Sequence, residues 1–106
     1  MMSRSLLLVM TVVVIGWMSP LQAADINMGE AMYGAQCAQC HGRTGLGAGA
    51  FPALNGQTAE YIAGKLELYR AREQVGGNSA LMWGPSANLS DADIANLSAF
   101  ISERFQ

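Results

Sequence analysis

The sequence predicts an all-α domain with three main helices, which occupies residues 25–106 after a short leader. Three segments carry apolar side chains at the three- and four-residue intervals of an amphipathic helix. No segment shows the alternation of apolar and polar residues that marks a half-buried strand. Glycine-rich stretches separate the segments, and such stretches favour tight turns over regular structure.

The first 24 residues have the features of a secretory signal peptide. Arg4 supplies the positive start, residues 6–17 form an apolar run, and small residues suited to cleavage follow. A run of about a dozen apolar residues is too short to span a bilayer, which takes about 20. We therefore expect cleavage after Ala23 or Ala24 and export of residues 25–106. An uncleaved membrane anchor is the alternative.

The first predicted helix runs from about Asn27 into the segment that contains both cysteines. Asp25 or Asn27 can cap its first turn with a side-chain oxygen. Its apolar side chains share one face, and we expect the two methionines among them to pack in the core. The apolar residues at helical spacing are Met28, Met32 and Ala35.

The second predicted helix covers residues 58–72, and the third begins at Ser90. Thr58 starts the second helix, and the Ser90 hydroxyl can cap the third. Asp91 and Asp93 then lie in the first turn, where negative charge stabilises the positive end of the helix dipole. The apolar positions are Ile62, Leu66 and Tyr69 in the second helix and Ile94, Leu97, Ile101 and Phe105 in the third.

Two loops connect these helices. Residues 42–56 contain five glycines, a density that forbids a regular element. They are not a phosphate-binding loop, because no lysine follows the glycines and no strand leads into them. Residues 73–89 are predicted as the second loop, which includes Met82.

Composition and charge bear on the classes of function open to this chain. The whole chain has a formal net charge of −2, and because Arg4 lies in the leader, the exported domain is slightly more acidic. An acidic domain gives no reason to expect binding to nucleic acid or to an anionic membrane. A domain this small is also marginally stable unless a staple supplements its core.

Five consecutive residues, Cys37-Ala38-Gln39-Cys40-His41, indicate the attachment site of a c-type haem. Two thiols at this spacing can bond both vinyl groups, and the imidazole that follows lies under the iron. A thioredoxin-like thiol pair is an alternative, but it requires a βαβ pattern that the sequence lacks. A zinc site is poorly supported, because two cysteines and one histidine cannot supply four nitrogen and sulfur ligands. We predict one covalently bound haem c as the cofactor.

The second axial ligand of the iron is predicted to be a methionine. His41 is the only histidine in the chain, so ligation by two histidines is excluded. Met28 and Met32 lie on the helix that leads into the motif, where a short tether favours packing. Met82 lies far enough after His41 to reach the opposite face of the haem. We therefore predict His41 and Met82 as the axial ligands.

The order of these features resembles that of the class I c-type cytochromes. The chain is similar in particular to the small bacterial monohaem forms and to the single halves of the periplasmic dihaem cytochromes. The resemblance extends over residues 28–105. Gly29 and Tyr33, followed by the motif of Cys37, Cys40 and His41, are similar to the first helix of that family.

The resemblance implies two structural details. A glycine at position 29 would allow the first and last helices to cross closely, near Leu97 and Phe100. The backbone carbonyl of Pro52 would accept a hydrogen bond from the His41 ring, which orients the ring and makes it a better donor to iron.

The resemblance also implies a one-electron carrier in the bacterial periplasm rather than an enzyme. Its partners would be one redox protein that donates the electron and another that accepts it. Peripheral contact with membrane respiratory complexes is compatible with this role, whereas nucleic acid and a small-molecule substrate are not expected. Two alternatives stay open. One is a haem subunit of a dehydrogenase or terminal oxidase, and the other is a haem sensor or peroxidase in which Met82 leaves the iron open.

Three large side chains near the second loop have two interpretations each. Trp83 could pack against the haem edge or serve as a contact for electron transfer. Arg70 and Arg72 could neutralise haem propionates or lie at a solvated helix end.

Overall fold

The computed structural model describes residues 10–14, 16 and 23–106. Most of the predicted signal peptide lies outside this set, including residues 17–22 just before the expected cleavage site. The division into a leader over residues 1–24 and a domain over residues 25–106 therefore stays a prediction. Among the described residues, no helix combines the length and the apolar character needed to cross a bilayer.

Five helices make up the described domain. In chain order they are α1 (Ile26–Gln36), α2 (Ala38–His41), α3 (Ala59–Arg70), α4 (Ala80–Ser86) and α5 (Asp91–Arg104). Within residues 23–106 no strand forms, and Ala48 and Phe51 make an isolated bridge in the glycine-rich loop. The predicted all-α class is confirmed, and the three longest helices, α1, α3 and α5, correspond to the three predicted from the sequence.

The long helices begin where short-range capping signals place them. The side chains of Asp25, Thr58 and Ser90 each accept a hydrogen bond from a backbone N–H three residues further on. The Asp93 carboxylate in turn accepts from the Ser90 N–H, which completes a capping box at the start of α5. Each of these interactions lies within one helical turn, so the sequence alone predicts it.

The prediction of an irregular loop over residues 73–89 is wrong in its second half, where α4 lies. This helix has seven residues, contains Pro85, and has no side-chain cap at Ser79. A helix this short shows little periodicity in sequence and has little stability of its own. It packs against α3, so tertiary contact decides that it forms.

Helix α5 is the centre of the fold, because it packs against both α1 and α3. Gly29 lies at the α1–α5 crossing, where an added Cβ would clash with the Asn96 carbonyl and the Phe100 Cβ. This contact confirms the predicted close approach. Beside it, the rings of Tyr33, Phe100 and Phe105 lie 5.0–5.5 Å apart between centroids. The other buried apolar residues are Ile62, Leu66, Leu89, Ile94, Leu97 and Ile101.

The prediction that Met28 packs in the core is wrong. Its side chain is 59% exposed, whereas Met32 packs against the core. The buried residues of α1 are Gly29 and Tyr33, which lie four apart and face α5. On a helix of 3.6 residues per turn, position 28 points about 100° away from position 29.

Candidate haem site

A cleft in the domain brings together the residues that the sequence predicts as a haem site. Two adjoining cavities of about 310 and 180 Å³ form it. Both cavities are lined by Cys37, His41, Pro52, Tyr69 and Met82, and Cys40 lines the larger one. Their combined size falls within the range of about 300–1,000 Å³ that is typical of small-molecule pockets.

The two cysteines lie where α1 gives way to α2. The Cys37 N–H donates to the Tyr33 carbonyl at 2.9 Å and so ends α1, and α2 begins at the next residue. Cys37 is half-buried, Cys40 is exposed, and both are free. Because both line the larger cavity from one helical turn, one flat group in that cavity could bond to both sulfur atoms.

The Cys37 thiol does not have the character of a redox-active cysteine. Burial, and to a lesser degree the neighbouring Cys40, raise the pKa of Cys37 to about 11. Redox-active cysteines instead have pKa values lowered to about 3.5–7.5. The described residues also form no strand, so they contain no βαβ unit of the kind found in thioredoxin-like proteins. Both observations argue against the thiol pair as an alternative function.

His41 is buried at the end of α2, with one ring nitrogen held by the backbone. Its Nδ1 lies 2.8 Å from the carbonyl oxygen of Pro52. A carbonyl oxygen only accepts hydrogen bonds, so Nδ1 carries the hydrogen and donates it. The tautomer that this bond selects leaves the Nε2 lone pair free, and a neutral imidazole of this kind is a common metal ligand.

The glycine-rich loop places the Pro52 carbonyl at His41. The Gly47 N–H donates to the His41 carbonyl at 2.8 Å, and the backbone of residues 51 and 52 passes directly behind Gly47. A Cβ at position 47 would clash with the carbonyl of Phe51, and Gly47 also has a φ of +65°. Both facts require glycine here, so this position sets the path of the loop that carries Pro52.

Of the methionines in residues 23–106, Met82 is the one that lines the cleft. It is half-buried on α4 and lines both cavities. Met28 is mostly exposed on α1, and Met32 packs against the core. The structure therefore brings Met82 and His41 to the same cleft from separate elements.

Of two tyrosines for which the sequence indicates only packing roles, Tyr69 lines the cleft and Tyr33 lies in the core beside it. The Tyr33 hydroxyl donates to the Gly42 carbonyl at 2.6 Å, which ties α1 to the end of α2. Burial raises the pKa of Tyr33 to about 12, with Cys37 as the smaller cause. Tyr69 lines both cavities. Its place on the apolar stripe of α3 is the only sequence signal, and a stripe does not show which member meets the cleft.

The two arginines near the end of α3 have partners within the protein. The Arg70 guanidinium lies 2.8 Å from the Asp91 carboxylate and donates to the Leu89 carbonyl at 3.1 Å, so it links α3 to the start of α5. The Arg72 guanidinium lies over the Trp83 ring, 5.3 Å from its centroid. These contacts favour structural roles for both arginines over pairing with haem propionates.

The donor set of the cleft fits a covalently bound c-type haem. It offers two sulfur atoms on one helical turn, an imidazole with a free nitrogen, and a thioether. The lining is mostly apolar, which suits a large flat ring.

Comparison with known proteins agrees with this donor set. A family model described as cytochrome c matches residues 26–104. Cytochrome c-554(548) of Halomonas halodenitrificans is 41% identical over 83 residues, which cover 77% of this chain and 99% of that protein. Cytochrome c-554(547) of Halothiobacillus neapolitanus is 40% identical over 88 residues, which cover 76% of this chain and 97% of that protein.

A solved structure shares the fold as well. The crystal structure of reduced recombinant cytochrome c4 from Pseudomonas stutzeri superposes with a TM-score of 0.66 at 32% identity. The match covers 76% of this chain and 48% of the other, so this domain corresponds to about half of that protein. On the family match and these relatives, the chain belongs to the cytochrome c family.

Proposed function

We propose that residues 25–106 form a one-electron carrier with a single haem c. In this proposal Cys37 and Cys40 hold the haem covalently, and His41 and Met82 are the axial ligands of its iron. Membership in the cytochrome c family supports an electron-carrier role and a covalently bound haem. The observation that carries the finer assignment is that all four side chains line one apolar cleft.

In this proposal the protein holds the two axial ligands, His41 and Met82, in an apolar cleft. When bound, the haem supplies an iron that exchanges one electron between its ferrous and ferric states. The Pro52 carbonyl keeps the His41 ring in one tautomer and one orientation. The Met82 thioether is neutral, and a neutral ligand in an apolar pocket favours the reduced state of iron and so a comparatively high potential. The proposal assigns no catalytic residue, because electron transfer between proteins requires no acid, base or nucleophile.

The proposed place of action is the periplasm, after removal of the leader over residues 1–24. There the domain would take an electron from one redox protein and pass it to another. Cytochrome c electron carriers work with redox protein partners, and the c-type relatives support this coarse assignment.

Replacement of Met82 tests the ligand assignment. In Met82→Ala holo-protein we expect loss of the ferric methionine-to-iron charge-transfer band, at least partial conversion to high-spin or water-ligated iron, and a lower reduction potential. The reason is that the iron loses a strong-field neutral ligand. The measurements are visible and near-infrared absorption spectra of both oxidation states and a redox titration.

Two other methionine variants serve as matched controls. Met28→Leu and Met32→Leu remove a thioether from α1 and should keep the charge-transfer band. If the band survives in Met82→Ala and disappears in either control, the distal ligand is assigned to the wrong residue.

A further inference from the structure

Arg72 has a backbone conformation that is unusual for its side chain. The Arg72 N–H donates to the Tyr69 carbonyl at 3.0 Å, and the Glu73 N–H donates to the Leu68 carbonyl at 2.9 Å. This pair of hydrogen bonds is the Schellman motif that closes many helices, and glycine is the usual residue at the left-handed position. Arg72 occupies that position with a φ of +61°, and among the described residues it is the one non-glycine with positive φ.

The side chain of Arg72 and the backbone of Glu73 together hold a single indole. The Arg72 guanidinium lies 5.3 Å from the centroid of the Trp83 ring, within the range of a cation–π contact. The Trp83 Nε1–H donates to the Glu73 carbonyl at 3.1 Å. We call this arrangement of Arg72, Glu73 and Trp83 the indole clip. It joins the end of α3 to α4.

The clip acts on a helix that has little stability of its own. Helix α4 has seven residues, contains Gly84 and Pro85, and has no side-chain cap at Ser79. Isolated helices of this length do not persist in water, so external contacts hold α4 in place. Trp83 directly follows Met82, and neighbouring helix positions point about 100° apart. Holding Trp83 at the end of α3 therefore also sets the direction of Met82.

We propose that the indole clip is a positioning device that keeps the Met82 thioether directed at the haem iron. This inference rests on the proposed function, because it acts through Met82 as a ligand. Trp83 and Arg72 are positioning residues, because neither lines the two cavities of the cleft. The inference also explains the arginine at a left-handed position, since glycine would suit the backbone better but could not contact the indole.

The rate of cyanide binding to ferric holo-protein tests the clip. Cyanide binds iron only after Met82 leaves, so the rate follows the fraction of protein with an open site. Trp83→Ala removes both contacts, and the rate should rise by about ten-fold or more. Trp83→Phe keeps a ring for Arg72 but loses the N–H donor, so its rate should lie between those of Trp83→Ala and the wild type. The charge-transfer band should weaken in the same order.

Arg72→Gly separates positioning from general stability. Glycine suits the left-handed backbone, so the denaturant midpoint should stay level or rise. Loss of the cation–π contact should nevertheless speed cyanide binding by about two- to five-fold. Arg104→Ala is the matched control, because the Arg104 guanidinium lies 6.0 Å from the Phe100 ring centroid on α5. This variant loses a comparable contact and should keep the wild-type cyanide rate.

Two results would overturn the clip, and they differ in what they say about the ligand. Wild-type cyanide rates and an intact band in both Trp83→Ala and Arg72→Gly, with the band lost in Met82→Ala, would refute the clip and leave Met82 as the ligand. Survival of the band in Met82→Ala would refute both proposals together.

Discussion

The chemistry of the site depends first on which ring nitrogen of His41 carries the hydrogen. The Pro52 carbonyl oxygen accepts a hydrogen bond from Nδ1, so in the neutral ring the hydrogen is on Nδ1 and the lone pair is on Nε2. His41 is also buried, so water does not compete with the Pro52 carbonyl for this hydrogen bond. One backbone atom thus selects the tautomer in which Nε2 has the lone pair that the proposed metal ligation requires.

Tyr33 is the residue for which the structure predicts a dependence on pH. Burial raises the pKa of its hydroxyl to about 12, against about 10 for an unperturbed tyrosine. The unfolded chain therefore loses this proton at lower pH than the folded protein does. The stability that the neutral hydroxyl contributes is complete below about pH 10 and is lost as the pH rises to about 12.

Tyr33→Phe should remove part of this alkaline sensitivity. At pH 8 the variant should be less stable by about 0.5–1.5 kcal/mol, because the hydrogen bond to the Gly42 carbonyl is lost. Between pH 8 and pH 11 it should lose less stability than the wild type. Denaturant midpoints of both holo-proteins at the two pH values provide the measurement. Equal losses in the two proteins would show that Tyr33 does not control the alkaline response.

At the scale of the helices, α1 and α5 cross closely at Gly29. Gly29 lies against the Asn96 backbone there, whereas Gly34 on the same helix has open space at its Cα. Near this crossing, the Asn96 side chain also accepts from the Asp25 N–H at 2.8 Å, so the start of α1 is fastened to α5. The two glycines thus offer a matched pair within one helix.

Replacing each of these glycines by alanine should have opposite effects. Gly29→Ala should destabilise the holo-protein by about 1–3 kcal/mol, because the new methyl group forces the two helix backbones apart. Gly34→Ala should stabilise it by up to about 1 kcal/mol through helix propensity. Denaturant unfolding measures both changes. If Gly29→Ala were as stabilising as Gly34→Ala, the helices would not pack as closely as the structure shows.

For the molecule as a whole, the central fact is that a small domain is built around a large cleft. The larger cavity of the cleft, about 310 Å³, has a mostly apolar lining, and a flat apolar group that fills it would bury that surface. The net stability of a typical domain is only about 5–15 kcal/mol, and a domain this small is marginal without such a contribution. We therefore expect the domain to depend on a group that fills the cleft and is bonded to α2.

Preventing haem attachment should accordingly unfold the domain. A variant with both Cys37→Ala and Cys40→Ala should show a large loss of helical signal in far-ultraviolet circular dichroism and no cooperative thermal transition. The exported wild type is the control. Its intact mass should equal residues 24–106 or 25–106 plus one haem that acid-acetone does not extract. A haem-free double variant with native helicity would show that the apolar core suffices without a staple.

The sequence by itself determined the features that depend on neighbours along the chain. Asp25, Thr58 and Ser90 mark the helix starts because capping bonds reach only three residues. The haem motif is likewise local, since Cys37, Cys40 and His41 share one helical turn. The prediction of Met82 as an axial ligand also comes from the sequence alone, by elimination, because residues 25–106 have few methionines and no second histidine.

Only the tertiary structure decided the features that depend on which faces meet. Helix α4 forms because it packs against α3. Its seven residues are too few to show a helical periodicity in the sequence. Met28 is exposed because α5 packs on the face of Gly29, one position away. Trp83 meets Arg72 across a loop, a contact that no spacing rule predicts. Side-chain partners across such distances depend on packing, and packing is a property of the whole folded chain.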